Sequence, residues 1–431
     1  MSCLVRKFYL PVLFIMLLML TACGTSIDRA VYTAVYNPTQ VPGATATLPP
    51  PLSNAPMPTP VPTPVANDAS DDDTSVLCEA DIWIAGLELR EKIGQLVMPR
   101  LAWQATQVTP ATLNWLAEYP VGGIILFADN VQTIQQVQAL TADLQAASRY
   151  PLFIATDEEG GRVSRVGRLF TDGDFPILPA YEVGRTGDPF MAYRTGSVIG
   201  EQLLYLGINM NFAPVADVWT NPANTVIGNR SFGSDPDVVG LMVDSAVRGL
   251  NSAGVLSVAK HFPGHGDTYE DSHYLLAVYP HDRERFDLVE APPFVSGINA
   301  GVHGIMMGHI ATPQLQNPTA PLYWMEPWLE SGTLPATFSD FWVQDILRGE
   351  FGFDGLVITD ALEMRALSDH FTPQQIALGA FIAGADILLM PTNITATFDA
   401  LIEAYHEGVF DEERLHQSLR RIFFARQALG M

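Results

Sequence analysis

Short apolar runs recur along the chain from about residue 79 onward, at 123–127, 152–156, 210–215, 255–259, 305–307, 336–338, 356–359 and 387–390. Each ends in Gly, Asn, Asp or His, or close to one. Runs this short, bounded by turn residues, read as buried strands. Between them lie segments with helical spacing, such as 131–148, 189–206 and 237–253, and the same spacing marks 87–97 and 402–428. Strands alternating with helices mean a parallel sheet with crossovers. Eight such runs over roughly 350 residues predict a (β/α)8 TIM-type barrel in a single domain. An open doubly wound sheet is the alternative. The residues that follow the runs favour the barrel: Asp157, Asp217, Lys260 with His261, His309, and Asp360. A barrel brings such residues together at one end, whereas an open sheet spreads them along an edge.

The first 78 residues have a different texture. Arg6 and Lys7 precede an apolar run at 8–20, which is short of the roughly 20 residues a membrane span needs. Leu20-Thr21-Ala22-Cys23 then sets small residues before a cysteine. The expectation is a lipoprotein signal over 1–22, cleaved before Cys23, whose thiol is acylated and anchors the exported chain to the outer face of the cell membrane. Residues 23–78 are rich in Pro, Thr and Ala and hold few large apolar side chains, so a disordered linker is expected. Residues 79–431 then form the barrel. The three cysteines are Cys3, Cys23 and Cys78. Cys3 leaves with the signal and Cys23 is acylated, so no internal disulfide stabilises the mature chain.

The formal net charge of -24 argues against nucleic-acid binding, since a polyanion is repelled by phosphate backbones. With 48% hydrophobic residues in 431, the chain can bury a large core. A monomer is expected.

The densest chemistry follows the run at 255–259. Lys260-His261-Phe262-Pro263-Gly264-His265-Gly266-Asp267-Thr268 is followed by Asp271-Ser272-His273. Gly and Pro at this density force an irregular loop. Asp271 and His273, two apart, can hydrogen-bond, so that the carboxylate orients the ring. A histidine poised near neutrality can give a proton and take one back; a solvated loop pair is the other reading. Asp360 ends a buried run, which would hold a nucleophilic carboxylate rigidly; it could equally cap a helix over 361–367. Asp157-Glu158-Glu159-Gly160-Gly161 reads as a tight exposed turn that bares carboxylates to sugar hydroxyls, or as the acidic start of a helix. Arg230 lies in a loop ending in Gly233, and Lys260 and His261 add donors at another strand end. Together these make one pocket suited to a polyhydroxylated ligand. His261, His265, His273 and Asp271 could be zinc ligands, but Pro263-Gly264 precludes the usual helical pair and no cysteine joins them, so no metal is expected. No phosphate loop and no Gly-x-Ser-x-Gly elbow is present, and no cofactor is expected.

These residues also match a family. DEEGGRVSR at 157–165, NRSFG at 229–233, KHFPGHGDT with DSH over 260–273, and GLVITDALEM at 355–364 resemble glycoside hydrolase family 3, in its β-N-acetylglucosaminidase branch, from about Leu87 to the C-terminus. The resemblance implies a barrel and a covalent retaining mechanism. It implies Asp360 as nucleophile and His273 with Asp271 as general acid/base. It implies Asp157, Arg165, Arg230, Lys260 and His261 as ligands of an N-acetylglucosamine (GlcNAc) unit. Glu158 stands where Gln is frequent, and Thr359 where Ser is frequent; neither is a reacting group. Many members take their acid from a second domain, for which the stretch after the last run leaves no length, so the acid is expected from the barrel itself. The expected substrates are GlcNAc-containing oligosaccharides or muropeptides. A GlcNAc-releasing phosphorylase and a non-catalytic sugar-binding lipoprotein are the alternatives.

Overall fold

Eight parallel strands, among the described residues, carry the fold: β1 (Val97–Met98), β2 (Gly123–Ile125), β3 (Phe153–Thr156), β4 (Met210–Asn211), β5 (Leu256–Phe262), β6 (Gly304–Met307), β7 (Leu356–Thr359) and β8 (Leu388–Leu389). The computed structural model describes residues 79–171, 175–315 and 320–431. The expected signal, Cys23 and linker lie outside the described residues. β2 to β7 pair in chain order as one parallel sheet, and β1 pairs with β8. Single bridges join Arg100 to Ile125 and Ile358 to Ile387, so the β1–β8 pair links the two edges of the curled sheet. This is the geometry of the TIM-type expectation.

Every residue of β2, β3, β5, β6 and β7 is buried. Crossover helices cover the outer face and side chains fill the inside. That is why these strands read as continuous apolar runs rather than alternating ones. The helix Pro236–Ser252 shows how a crossover is specified. Asp235 accepts from the Asp237 and Val238 N–H groups, and Pro236 opens the helix. Val239, Met242, Val243, Ala246, Val247 and Leu250 form its buried stripe at 3.6-residue spacing. The closing helix Glu412–Ala428 secures the opposite end of the barrel from the site. Its Ser418 and Arg421 reach the fully buried Asp386, at 2.5 and 3.4 Å, and Arg348 reaches it at 2.8 Å. Among the described residues no helix is long and apolar enough to cross a membrane.

Two expectations are corrected. The run 336–338 is one turn of 3₁₀ helix, Ala336–Phe338, rather than a strand. Its Phe338 ring packs edge-on against Trp324 and Phe371. A short buried apolar run has no periodicity to tell these states apart. The eighth strand is instead β1. It lies at the end of the segment read as helical over 87–97, where the helix Leu89–Gln95 stops one residue earlier.

Candidate active site

β5 delivers two consecutive residues to one cavity. Its pairing with β6 runs Lys260 to Met306 and then Phe262 to Met307, a register shift that sets two residues against one. Such a bulge re-aims side chains, and both Lys260 and His261 line the cavity. Lys260 is 2% exposed, and its Nζ donates to Asp157 Oδ1 and Glu159 Oε1, each at 2.7 Å. Arg230 grips the same Glu159 with two bonds, Nε to Oε2 at 2.9 Å and Nη2 to Oε1 at 2.8 Å. Arg165 Nη2 stands 4.0 Å from Asp157 Oδ2. A buried charge is tolerated only when paired and hydrogen-bonded, and Lys260, Arg230, Asp157 and Glu159 all are. Burial alone would push the Glu159 carboxyl up, but Lys260 and Arg230 outweigh it and hold it well below the usual range. Burial would likewise pull Lys260 down, and Asp157 and Glu159 raise it instead.

His261 is set by Asp217 at the exit of β4. Its Nδ1 donates to Asp217 Oδ2 at 2.7 Å, since a carboxylate can only accept. That leaves Nε2 on the side of Arg230, whose Nη2 is 3.4 Å away. Asp217 Oδ1 also accepts the main-chain N–H groups of His261 and His265, at 3.2 and 2.7 Å. Burial opposes ionisation of Asp217, but His261 and these bonds win and its carboxyl lies below the ordinary value.

The turn after β3 does not bare its acids as expected. Glu158 is 1% exposed and Glu159 9%. Glu158 Oε2 accepts from the N–H groups of Arg165 and Val166, at 2.6 and 2.8 Å. Its own peptide exchanges two 2.9 Å bonds with the Asn211 side chain. Burial raises its pKa. Glu158 therefore shapes the 164–167 segment that carries Arg165. Residues alternate in direction along extended chain. Asp157 and Glu159 thus reach Lys260 together while Glu158 points elsewhere.

Asp360 follows β7. Its N–H donates to Met307 O at 2.9 Å, and its Oδ1 accepts from Ala361 N–H at 2.7 Å. Burial would raise its pKa, but His261, His309, the Ala361 N–H and His273 lower it to about 2. The helix that Asp360 could have capped begins only at Arg365, with Met364 in the capping position. His309, after β6, steadies the neighbouring peptide: its Nε2 donates to Ala361 O at 3.0 Å, and its Nδ1 lies 2.7 Å from Thr337 Oγ1. Thr337 belongs to the buried 3₁₀ turn, which thus braces the wall behind Asp360.

Asp271 and His273 ride on the loop after β5. Gly264 enters that loop at φ 131°, and a Cβ on Gly266 would come within 1.9 Å of Val218 O. No other residue fits the second position without moving the backbone. His273 Nδ1 donates to Asp271 Oδ1 at 2.7 Å, leaving Nε2 free, and the His273 side chain is 62% exposed. His273 O accepts from Arg365 N–H at 3.3 Å.

Seven predicted site residues, Asp157, Arg165, Arg230, Lys260, His261, His273 and Asp360, line one cavity of about 360 Å³. That is within the range of small-ligand pockets. Asp271 stands behind His273 rather than on the wall. Sequence reasoning took Asp217 and His309 only as strand-end residues, took Glu159 as an exposed carboxylate of its turn, and assigned no role to Arg100 or Arg365; Glu159, Arg100 and Arg365 also line the cavity. The alternation from Asp157 could have revealed Glu159. Among the described residues, no group of three His, Cys, Asp or Glu side chains is arranged to hold a metal ion.

Residues 88–425 match the glycosyl hydrolase family 3 N terminal domain. The chain belongs to glycoside hydrolase family 3. Its sequence is 40% identical over 357 residues to beta-hexosaminidase A of Pseudoalteromonas piscicida, covering 78% of this chain and 58% of that protein. It is 36% identical over 291 residues to a beta-hexosaminidase of Stenotrophomonas maltophilia, covering 66% of this chain and 80% of that one. Among solved structures, a family 3 beta-N-acetylglucosaminidase from Paenibacillus sp. superposes with TM-score 0.73 at 39% identity, over 80% of this chain and 63% of that chain. This family 3 chain thus spans less than two thirds of the Pseudoalteromonas and Paenibacillus proteins.

Proposed function

We propose that this chain is a retaining, exo-acting β-N-acetylglucosaminidase. It releases terminal β-linked GlcNAc from peptidoglycan fragments or related glycans. The observation that carries the reading is one cavity holding an ionised, rigidly seated carboxylate, Asp360, and an imidazole whose Nε2 is free, His273. In the first step an Asp360 oxygen bonds to the anomeric carbon as the glycosidic C–O bond breaks. His273 Nε2–H gives its proton to the departing oxygen. In the second step His273 takes a proton from water, the water oxygen bonds to the same carbon, and the carboxylate leaves. Two inversions give retention. The strand ends below, with Ile125, Met306 and Leu389, form an apolar floor. That floor supports a site for one terminal sugar. Asp157, Arg165, Arg230, Lys260 and His261 would take its hydroxyl and acetamido groups, with donors already aligned by their ion pairs.

The test is release of p-nitrophenol from β-GlcNAc and β-glucose glycosides, with and without phosphate. The GlcNAc glycoside should be cleaved at least about tenfold faster in kcat/KM, with β-GlcNAc as the first-formed product and no acceleration by phosphate. Phosphate-dependent turnover would favour a phosphorylase, and no turnover a sugar-binding lipoprotein.

We further propose that the chain acts from the outer face of the cell membrane, anchored through acylated Cys23. The support is the placement of Cys23 directly after the apolar run and before the proline-rich stretch. Wild-type protein should fractionate with membranes and incorporate a fatty-acid probe, and Cys23→Ala should do neither. Equal labelling of the two would exclude the anchor.

A further inference from the structure

Ser272 sits between Asp271 and His273 but faces the other way. It is 2% exposed, and its Oγ lies 2.9 Å from Nε2 of His265. His265 is itself buried and held from several sides. Its N–H donates to Asp217 Oδ1 at 2.7 Å, and its carbonyl accepts from Asn224 Nδ2 at 2.7 Å and Thr268 Oγ1 at 2.9 Å. Its Nδ1 lies 2.6 Å from the Thr268 hydroxyl. Whichever ring nitrogen carries the hydrogen, the Nε2 contact to Ser272 is a hydrogen bond, because a hydroxyl both donates and accepts. Lower on the loop, His281 Nε2 bonds to Asp267, which also accepts from Thr220 Oγ1 at 2.7 Å. The base of the loop is thus closed independently of its tip. Ser272 to His265 ties the tip to the buried base of the loop, beside the Arg365 N–H to His273 O bond on the rim.

We propose that His265 and Ser272 are positioning residues for proton transfer. The hydrogen bond between them fixes where on the cavity rim His273 presents Nε2. This rests on the reading of His273 as the proton donor. Residues 271–275 form one hydrogen-bonded turn, in which the Tyr274 and Leu275 N–H groups both donate to Asp271 O at 2.9 Å, so a bond that locks Ser272 inward fixes the orientation of the turn that carries Asp271 and His273. Burial lowers the His265 pKa to about 4, so the ring stays neutral near neutral pH and keeps a single bonding pattern. Misplacement of a reacting group by about 1 Å can cost on the order of a hundredfold.

A general loosening of the fold slows every substrate, whereas a displaced proton donor slows only substrates whose leaving group needs the proton. The experiment uses the full chain and compares kcat/KM, which reports the bond-breaking step, on a β-linked GlcNAc disaccharide and on 2,4-dinitrophenyl β-GlcNAc. Ser272→Ala should lose at least about tenfold on the disaccharide and less than about threefold on the dinitrophenyl glycoside. Ser272→Thr, which keeps the hydroxyl, should restore most of the loss. His265→Gln approaches the same bond from its other end and serves if Ser272→Ala fails to fold. Added to His273→Ala, Ser272→Ala should cause no further loss. Equal losses on both substrates, no loss on either, or a further loss in the His273→Ala background would overturn the proposal. If His273→Ala itself slowed both substrates alike, the donor reading would fall and this one with it. If His273→Ala were selective and Ser272→Ala were not, only this one would fall.

Discussion

Asp360→Ala is expected to lower kcat by at least about three orders of magnitude on every β-GlcNAc glycoside, with folding intact. The expectation follows from where the carboxylate is held. Its backbone is tied to β6 through Met307 O, and its Oδ1 is fixed by the Ala361 N–H. The other oxygen is then free to be aimed at a reacting carbon. Alanine removes the atom that forms the intermediate, and water cannot enter with the same alignment. Activated substrates gain nothing here, because a better leaving group does not replace a missing nucleophile. Azide is small enough to enter the vacated space from the same side. It should restore turnover of a dinitrophenyl glycoside and give the α-glycosyl azide. A loss below about tenfold would remove Asp360 from the mechanism. The pH profile supplies a second check. With its pKa lowered to about 2, Asp360 stays ionised until the pH approaches that value. An acid limb of kcat/KM well above it must belong to another group. The same depression stabilises the folded chain above about pH 4, and that contribution fades as the pH falls towards 2.

Strand ends were legible because buried parallel strands are apolar throughout and stop at polar residues. Asp157, Lys260 and Asp360 were therefore found from the pattern alone, and the convergence of such residues favoured the barrel over an open sheet. Partnerships were less legible. Asp217 was visible at the end of its run, but its bond to His261 crosses 44 positions of chain, and no local rule links the two. The carboxylates of 157–159 looked exposed because acids usually are. Their counter-charges, Lys260 and Arg230, lie more than 70 positions away. The 336–338 run failed for a different reason. Three buried apolar residues carry no period, and only the tertiary contacts of Phe338 and Thr337 make them a helical turn.

His273→Ala should separate substrates by leaving group. A sugar oxygen departing as an alkoxide needs a proton, whereas dinitrophenolate does not. The disaccharide should therefore lose about two to four orders of magnitude in kcat/KM, and the dinitrophenyl glycoside little. Asp271→Asn should fall between the two. The amide oxygen can still accept from Nδ1, but the bond is no longer charge-assisted and holds the ring less firmly. Equal slowing of both substrates by His273→Ala would mean that the proton comes from elsewhere. The neighbouring acids are poorly placed for that task. Glu159 is held ionised by Lys260 and Arg230 and has no proton to give near neutral pH. Glu158 keeps a raised pKa through burial, but it spends one oxygen on two main-chain N–H groups, and its carboxyl is not part of the cavity wall. A Glu158→Gln variant should therefore disturb the Arg165 segment and raise KM. It should leave the dependence on leaving group as in the wild type, whereas a donor would reproduce the selectivity of His273→Ala.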